Sequence, residues 1–401
     1  MNARRAFRSI AHPLAVLLVA PWVEGAAQGG ACCSRPLVTG RPTTAVVAWP
    51  AAPEAARISF AGTLASEFDV GKKTTGLDRF RQVVAGTRPA ARSIERPHDV
   101  WVDASHRLYV SDGTARTVVR FDPELRAAVT IGGDGPGRLV KPLGLAGDSR
   151  GNLYVADQAA KRVVVFDAMG AFVRAIGGSQ VLLNPVDVAV DGSGGTVYVA
   201  DSYLHQVLVF APDGRLVRRL GRDQGNLERK LQLLANVAPA AARTAEASHL
   251  AGGVSTEASG AAMFGHAPKY LPEPRDLVEN RGARPGEFRY PAFLAVGGDG
   301  TLYVSDGMNF RVQAFDRTGK YLRSFGALGD GPGNFARPKG VAVDSEGHVY
   351  VADAAFNNVQ VFDTNGRLLL PFGQMGRGAG ELWLPLGLAI DTDDHVYVAD
   401  R

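Results

Sequence analysis

The chain has 401 residues, of which 44 are basic and 40 are acidic, and its formal net charge is +4. This balance excludes the strong basic excess that is typical of nucleic-acid-binding domains. The 48 glycines and 23 prolines are typical of a protein built from many short strands and turns.

The N-terminus has the features of an export signal. Arg4, Arg5 and Arg8 form a basic start, and the apolar run 14–23 has the length of a signal-peptide core but is too short to span a bilayer. Small residues follow this run and predict cleavage after residue 27 or 31. We therefore predict a signal peptide over 1–31 and an exported protein, located in the periplasm, in the cell envelope or outside the cell.

The two cysteines, Cys32 and Cys33, are adjacent, which disfavours a disulfide between them. Gly30-Ala31-Cys32 resembles the end of a bacterial lipoprotein signal, so Cys32 is a candidate lipidation site that would anchor the protein to a membrane. An aliphatic residue is usual three places before such a cysteine, and Gly29 stands there. Lipidation and simple cleavage both stay open, and 32–56 is predicted to be a linker.

A repeat organises the chain from residue 97 onward. The motif Tyr-Val-Ala/Ser-Asp occurs six times, and most copies are about 45 residues apart, which is typical of repeat architectures. Each copy contains four short runs of alternating apolar residues with polar turns between them, which predicts four antiparallel strands per repeat. The six copies end at Asp112, Asp157, Asp201, Asp306, Asp353 and Asp400.

The repeated motifs resemble NHL repeats. They are Pro-x-Gly-Val-Ala-Val-Asp, Tyr-Val-Ala-Asp, Arg-Val-x-x-Phe-Asp and Gly-Pro-Gly-x-Phe. The resemblance covers residues 57–401 and is closest to exported bacterial members of the family. It implies an all-β fold, namely a six-bladed β-propeller of NHL repeats with four-stranded antiparallel blades around a central channel. It also implies a role as a binding scaffold.

The two ends of the chain are expected to close this ring together. The sixth copy of the motif is followed only by Arg401, so its third strand is missing. We predict that residues 57–96 close the propeller of 97–401, with Arg57–Leu64 as the outermost strand of the last blade. Either Asp78–Val84 supplies the third strand or the chain is truncated at its C-terminus, which would leave an open edge. Truncation is favoured.

An insertion at about 226–284 interrupts the propeller. It separates two copies of the motif whose Asp residues are 105 positions apart. The segment is rich in Ala, Gly and Ser, which favours a tolerated surface loop. A lid over one face is the functional alternative. A hidden seventh blade is the other alternative, and no remnant of the motif supports it.

The motif Asp occurs in every repeat, so it cannot mark a single active site. An Asp at the end of a strand typically accepts backbone hydrogen bonds in the turn that follows. We predict this structural role for the motif Asp and for the Asp that ends most first strands. The latter are Asp103, Asp148, Asp191, Asp344 and Asp391.

Positions that differ between repeats are better candidates for function. Residues just after the Pro of each first strand should lie at one mouth of the channel, and four of them are polar: His98, Asp99, Asp187 and Lys339. We consider these to be candidate ligand-binding residues, either at a hydrated channel end or in a ligand or cation site that uses the two Asp. The chain contains no nucleophile elbow, phosphate-binding loop or Cys/His metal spacing.

This region also resembles the catalytic core of peptidyl-α-hydroxyglycine α-amidating lyase, a related propeller enzyme. In that enzyme a Pro-His pair recurs in three blades and the three His bind zinc, whereas only Pro97-His98 matches here. A catalytic zinc needs about three protein ligands. We therefore predict no catalytic residues, no metal and no cofactor. The equivalent positions that cannot bind zinc are Leu143, Val186, Ala292 and Leu386.

The favoured hypothesis is an exported, non-enzymatic NHL β-propeller that acts as a binding scaffold for a protein, peptide or glycan. The alternative is a metal-dependent hydrolase or lyase at the channel mouth, related to the amidating-lyase propellers. We expect a monomer that binds no nucleic acid.

Overall fold

In the computed structural model, the regular structure of the described residues is made of β-strands and one 3₁₀ turn at Gly307–Asn309. Most of the predicted linker, Cys32, the segment Asp78–Val84 and nearly all of the insertion lie outside the residues that it describes. No helix in the described part of the chain is long and apolar enough to cross a membrane. The described residues are 16–21, 47–49, 58–64, 94–192, 195–221 and 282–401.

The described residues form short strands, most of them five or six residues long. In chain order they are β1 (Val16–Pro21), β2 (Ala48–Trp49), β3 (Ile58–Leu64), β4 (Pro97–Val102), β5 (Leu108–Asp112), β6 (Thr117–Asp122), β7 (Ala127–Ile131), β8 (Pro142–Gly147), β9 (Leu153–Asp157), β10 (Arg162–Phe166), β11 (Phe172–Gly177), β12 (Pro185–Val190), β13 (Val197–Asp201), β14 (Gln206–Phe210), β15 (Leu216–Leu220), β16 (Pro291–Val296), β17 (Leu302–Asp306), β18 (Arg311–Phe315), β19 (Tyr321–Phe325), β20 (Pro338–Val343), β21 (Val349–Asp353), β22 (Asn358–Phe362), β23 (Leu368–Phe372), β24 (Leu388–Ile390) and β25 (Val396–Ala399).

The strands assemble into antiparallel sheets that surround a common axis. Five sheets are four-stranded, and each takes four consecutive strands: β4–β7, β8–β11, β12–β15, β16–β19 and β20–β23. The inner strands β4, β8, β12, β16, β20 and β24 contact one another in that order, and β24 contacts β4, so the ring is closed. The fold is a β-propeller, as predicted.

The number of four-stranded blades differs from the prediction of six. The described residues form five such blades, and the last sheet has five strands in the order β2-β3-β1-β25-β24. The difference arises because the C-terminal part of the chain supplies only β24 and β25 to this sheet. The N-terminal part supplies the other three strands.

The N-terminal strands fill the last sheet in an order that the sequence did not predict. Arg57–Leu64 was expected to be the outermost strand of this sheet. β3 lies near that position, but it is not outermost, because β2 pairs with its outer side. β1 occupies the third position, between β25 and β3. The same residues were predicted to be removed within the signal peptide 1–31, and a cleaved segment could not hold this position.

The hydrophobic core lies between neighbouring blades. All five residues of the second strand β9 are buried, whereas the fourth strand β11 is mostly exposed. One apolar cluster joins Tyr198 of β13 to Leu294 of β16, which belongs to the next blade. Strands that are covered on both faces need apolar side chains on both faces, which explains the apolar second strands of the repeat.

A buried Asp ends each second strand and fixes two other segments. The carboxylate of Asp353 accepts the backbone N–H of Ala336 at 2.8 Å and that of Arg337 at 3.0 Å, in the segment that enters the blade. It also accepts the N–H of Ala355 at 2.8 Å and of Phe356 at 3.1 Å, in the following turn. The predicted structural role is confirmed, and the bond to the entering segment is an addition to it. Related bonds occur at Asp112, Asp157, Asp201, Asp306 and Asp400.

The motif Tyr and the first-strand Asp form a second repeated pair. The hydroxyl of Tyr109 donates to Asp103 at 3.1 Å, and the same carboxylate accepts the backbone N–H groups of Ser105 and Arg107. One carboxylate thus fixes the turn between the first and second strands, as predicted. Equivalent pairs are Tyr154–Asp148, Tyr350–Asp344 and Tyr397–Asp391.

Replacing Asp353 with Ala should lower the free energy of unfolding by about 3–5 kcal/mol, because each buried donor left without a partner costs about 1–3 kcal/mol. Urea unfolding at pH 7 measures this change. Asp213→Ala is the control, since Asp213 is 67% exposed and fixes only an outer turn. The control should change the free energy of unfolding by less than about 1 kcal/mol. Equal effects of the two substitutions would contradict the assigned role.

Candidate functional site

The four predicted site residues lie near the start of three inner strands. His98 and Asp99 are on β4, Asp187 is on β12 and Lys339 is on β20. Asp99 and Asp187 are buried, whereas His98 and Lys339 are partly exposed. Since all inner strands start at the same end of the axis, these residues lie at one end of the channel, which we call the mouth.

Asp99 and Asp187 connect neighbouring inner strands. Asp99 accepts the backbone N–H of Leu145 on β8 at 2.7 Å, and Asp187 accepts that of Leu294 on β16, also at 2.7 Å. Each carboxylate therefore satisfies a buried backbone donor of another blade, which would otherwise lack a partner. The sequence did not predict this structural role.

Glycine takes the place of Asp in three other inner strands. The N–H of Gly340 donates to the carbonyl oxygen of Leu386 at 2.7 Å, and the N–H of Gly387 donates to that of His98 at 3.1 Å. A Cβ on Gly340 would overlap the Leu386 carbonyl, and a Cβ on Gly144 would overlap Asp187. The ring thus joins its strands either through a carboxylate or through a direct backbone contact that only glycine permits.

The two buried carboxyl groups influence each other. Burial raises the pKa of Asp99 to about 7. Burial, followed by the negative charge of Asp99, raises the pKa of Asp187 well above its usual value. Burial and mutual repulsion therefore both disfavour the charged forms of this pair. Asp187 Oδ1 is buried and has no hydrogen-bond partner among the described residues.

His98 is a neutral imidazole at the mouth. Its ring stacks on that of Phe293, which lies on the opposite inner strand β16, with centroids 5.5 Å apart and planes 17° apart. Burial, followed by the charges of Arg401, Lys339 and Lys141, lowers the pKa of His98 to about 3. Its Nδ1 is buried and has no hydrogen-bond partner in the described part of the chain.

Five cationic side chains, which we call the basic ring, lie around the mouth. Arg96, Lys141 and Arg337 each precede the Pro that opens an inner strand, and Lys339 follows one. Arg401 completes the set, because its Nε lies 3.4 Å from the carbonyl oxygen of Pro97. None of the five forms an ion pair with an acidic side chain of the described residues.

Only Lys339 of the basic ring was identified from the sequence. The signal for three others was a basic residue directly before the strand-opening Pro. This signal was overlooked because the sequence analysis considered only the positions after that Pro. The dipeptides concerned are Arg96-Pro97, Lys141-Pro142 and Arg337-Pro338.

The mouth does not unite three metal ligands. In the ranges that the structure describes, no group of three or more His, Cys, Asp or Glu side chains is placed to hold a metal ion. In both Asp99 and Asp187, one carboxyl oxygen already accepts a hydrogen bond from a backbone N–H. The donor set therefore falls short of a catalytic zinc site. The equivalent positions on other strands carry the apolar side chains of Leu143, Val186, Ala292 and Leu386.

The fold and the repeats define the class of this protein as a β-propeller. The NHL repeat model matches residues 182–210, 288–315 and 335–362. Each match covers the inner, second and third strands of one blade. The chain therefore contains NHL repeats, as the resemblance of its motifs predicted. A comparison with curated protein sequences finds no significant match.

A comparison with solved structures finds several that are similar to this chain. A virginiamycin B lyase from Staphylococcus aureus is 11% identical, with a TM-score of 0.47 over 76% of this chain and 78% of that one. A streptogramin B lyase is 14% identical, with a TM-score of 0.49 over 76% and 90% of the chains. A gluconolactonase from Xanthomonas campestris is 16% identical, with a TM-score of 0.47 over 76% and 86%. Likeness at this level says nothing about the function of this chain.

Asp99→Asn should flatten the pH dependence of stability. A carboxyl whose pKa rises on folding stabilises the protein below its unfolded pKa near 4, and that contribution is lost as the pH rises through about 7. Between pH 4 and pH 8 the free energy of unfolding should therefore fall by on the order of 3 kcal/mol more in the wild type than in the variant. The amide oxygen of Asn can still accept the N–H of Leu145.

Urea unfolding over this pH range measures the difference. The exposed substitution Asp213→Asn is the control and should leave the pH profile of the wild type unchanged. Parallel profiles for the wild type and Asp99→Asn would contradict the raised pKa of Asp99.

Proposed function

We propose that this protein is a non-enzymatic NHL β-propeller that binds a protein, peptide or glycan at the face around the mouth. The observation that supports this is the division of roles at the mouth. The carboxylates of Asp99 and Asp187 link the blades. The five cations of the basic ring form no ion pair with an acidic side chain among the described residues, and Arg96, Lys141 and Arg337 are exposed. A rigid ring that presents many loops on one face suits recognition.

The five-stranded sheet acts as the sixth blade in this proposal. The closed ring of inner strands supports this, because β24 fills the place between β20 and β4. The face around the mouth then carries six sets of connecting loops. The protein works as a monomer and binds no nucleic acid, in keeping with its balanced charge.

A metal-dependent hydrolase or lyase at the mouth is the alternative function. One observation favours it: Asp187 Oδ1 and His98 Nδ1, at the same end of the channel, are both buried and have no hydrogen-bond partner in the part of the chain that the structure describes. A catalytic zinc needs about three protein ligands and an open position. The third ligand would have to be Asp99, whose Oδ2 already accepts a backbone hydrogen bond.

Reversing one charge of the basic ring should abolish partner binding. Immobilised wild-type protein is incubated with an extract of the native cell envelope, and the bound molecules are identified by mass spectrometry. The Lys339→Glu variant should retain at most 10% of the amount of partner that the wild type binds, because the ligand contacts the mouth. Lys320→Glu is the matched control, since Lys320 is exposed in an outer hairpin, and it should bind like the wild type.

Metal analysis of the same preparation separates the two functions. The purified protein is incubated with zinc, dialysed and analysed for its metal content. The binding function predicts well below one zinc per chain. About one zinc per chain, lost in His98→Ala but kept in His348→Ala, would contradict the binding function and favour the enzyme.

Export is a further part of the proposal, and the native N-terminus tests it. The basic start and the apolar run support removal of residues 1–27 or 1–31. The place of β1 in the last sheet is a competing role for some of these residues. Mass spectrometry of protein from the native envelope should find no peptide before residue 28. An intact Met1 on cytoplasmic protein would contradict export, and a fatty acid on Cys32 would identify a membrane anchor.

A further inference from the structure

The turn between the first and second strands of each sheet contains one left-handed position, two residues before the second strand. Four of the six turns have glycine there, namely Gly151, Gly195, Gly300 and Gly347. His106 and Asp394 occupy it in the other two turns, with φ angles of 56° and 61°. Because a side chain is sterically disfavoured in this conformation, these two residues are candidates for a function that requires the side chain.

Both side chains reach from one blade to the next. β24 of the last sheet contacts β4 of the first blade, and we call this contact the seam. Across the seam, His106 Nδ1 lies 3.4 Å from Asp391 Oδ2, and His106 Nε2 lies 3.6 Å from Asp393 Oδ2. On the other side of the last sheet, Asp394 accepts the backbone N–H of Ser345 at 2.9 Å and its hydroxyl at 2.7 Å. The sheet that combines both ends of the chain is thus tied to both of its neighbours.

The surroundings of His106 match a protonated ring. A neutral imidazole has one N–H group, whereas the imidazolium cation donates from both nitrogens. Both ring nitrogens of His106 face carboxylate oxygens, so the cation alone can interact favourably with both. The side chain is 35% exposed, which gives solvent protons access to it.

Asp391 supplies a lasting negative charge at the seam. Its Oδ2 accepts the hydroxyl of Tyr397 at 2.9 Å and the Nδ1 of His395 at 3.0 Å. Burial acts to raise the pKa of Asp391, but the hydrogen bonds from His395 outweigh burial and lower the pKa overall. The hydrogen bond to Asp391, with burial acting against it, raises the pKa of His395. Three carboxylates stand within four residues of this turn, so protons on the histidines reduce their repulsion.

The other charged groups of the adjoining turns are paired within those turns. In the turn of His106, Arg107 Nε lies 2.7 Å from Asp103. In the turn of the blade beyond Asp394, His348 Nδ1 lies 2.9 Å from Asp344 and 3.7 Å from Glu346. These pairs hold single turns together and do not cross between blades.

A link between two other blades differs in one respect. Arg317 of the fourth blade lies with its Nε 3.3 Å from Asp191 Oδ2 of the third blade. A guanidinium group stays charged throughout the neutral pH range, whereas histidine is the side chain that ordinarily changes charge between pH 5 and 8. The titratable link thus stands where the ring closes.

We infer that His106 and the carboxylates of Asp391 and Asp393 form a proton-operated clasp, which holds the seam more tightly at mildly acidic pH than above neutral pH. Protonated His106 attracts both carboxylates across the seam, and neutral His106 can donate to one of them at most. His395 acts in the same direction. A histidine whose pKa rises on folding stabilises the fold below its unfolded pKa near 6.5, and this contribution is lost as the pH rises through the folded value.

Hydrogen–deuterium exchange of the full-length protein, measured by mass spectrometry, tests the clasp. Each variant is compared with the wild type at the same pH, so the intrinsic pH dependence of exchange cancels. In His106→Gly, the backbone amides of β4 and β24 should exchange about fivefold faster than in the wild type at pH 5.5, and within about twofold of it at pH 8.5. Glycine occupies the equivalent position in four other turns, so the backbone accepts this substitution.

Two further variants complete the test. His106→Gln keeps a polar side chain that cannot be protonated, and it should show the same difference between the two pH values. Arg317→Gln is the matched control, because it removes a link between blades that carries a permanent charge. It should speed the exchange of β12 and β16 by the same factor at pH 5.5 and at pH 8.5.

Three outcomes overturn the inference. They are unchanged exchange at pH 5.5 in both His106 variants, an equal acceleration at the two pH values, and a larger acceleration at pH 8.5. An equal acceleration would assign His106 a purely structural role. If one His106 variant fails to fold, the other decides the result. The clasp lies at the end of the axis opposite to the mouth, so its failure leaves the proposed binding function standing.

Discussion

Each blade depends on one carboxylate at the end of its second strand. A buried carboxylate is unfavourable unless hydrogen bonds compensate for the water that it loses. At Asp201, burial raises the pKa, and four backbone N–H groups act against that rise. Two of these groups come from the segment that enters the blade and two from the turn that follows. The carboxylate therefore determines where the chain enters each blade and how it turns toward the third strand.

The same chemistry joins the blades at the centre, although only in some of them. Asp99 and Asp187 bind backbone donors of other inner strands, and Gly340 and Gly387 allow direct backbone contact instead. This structural use engages one oxygen of each of these two carboxyl groups. The five cations around them form no ion pair with an acidic side chain among the described residues, so the electrostatic character of the mouth comes from the basic ring.

Function in a repeat protein lies where the repeats differ. The motif Asp and Tyr are almost invariant among the repeats of this chain because every blade needs the same turns. The position before the strand-opening Pro varies from Arg to Asn, Tyr and Leu, because it lies on the rim and contributes little to packing. The result is a face with a fixed frame and a variable rim, which is the usual basis of selective binding.

The sequence by itself determined the repeat, the strands within it and the structural role of the motif Asp. These features are local, since period-2 runs, turn residues and strand ends are read from neighbouring positions. It also placed His98 and Lys339 at the mouth, because the repeat register assigns equivalent positions. It did not predict that Asp99 would bind Leu145, because residues 46 positions apart meet only when two blades pack together.

The tertiary structure alone decided how the ring closes and what surrounds the mouth. β1 lies between β25 and β3 because the open edge of β25 needs a partner for its backbone groups, and nothing in residues 16–21 resembles the third strand of a repeat. The five cations of the basic ring come from residues 96 to 401 and share no single motif. Their meeting is a property of the closed ring, since strands that are distant in the chain become neighbours only around a common axis.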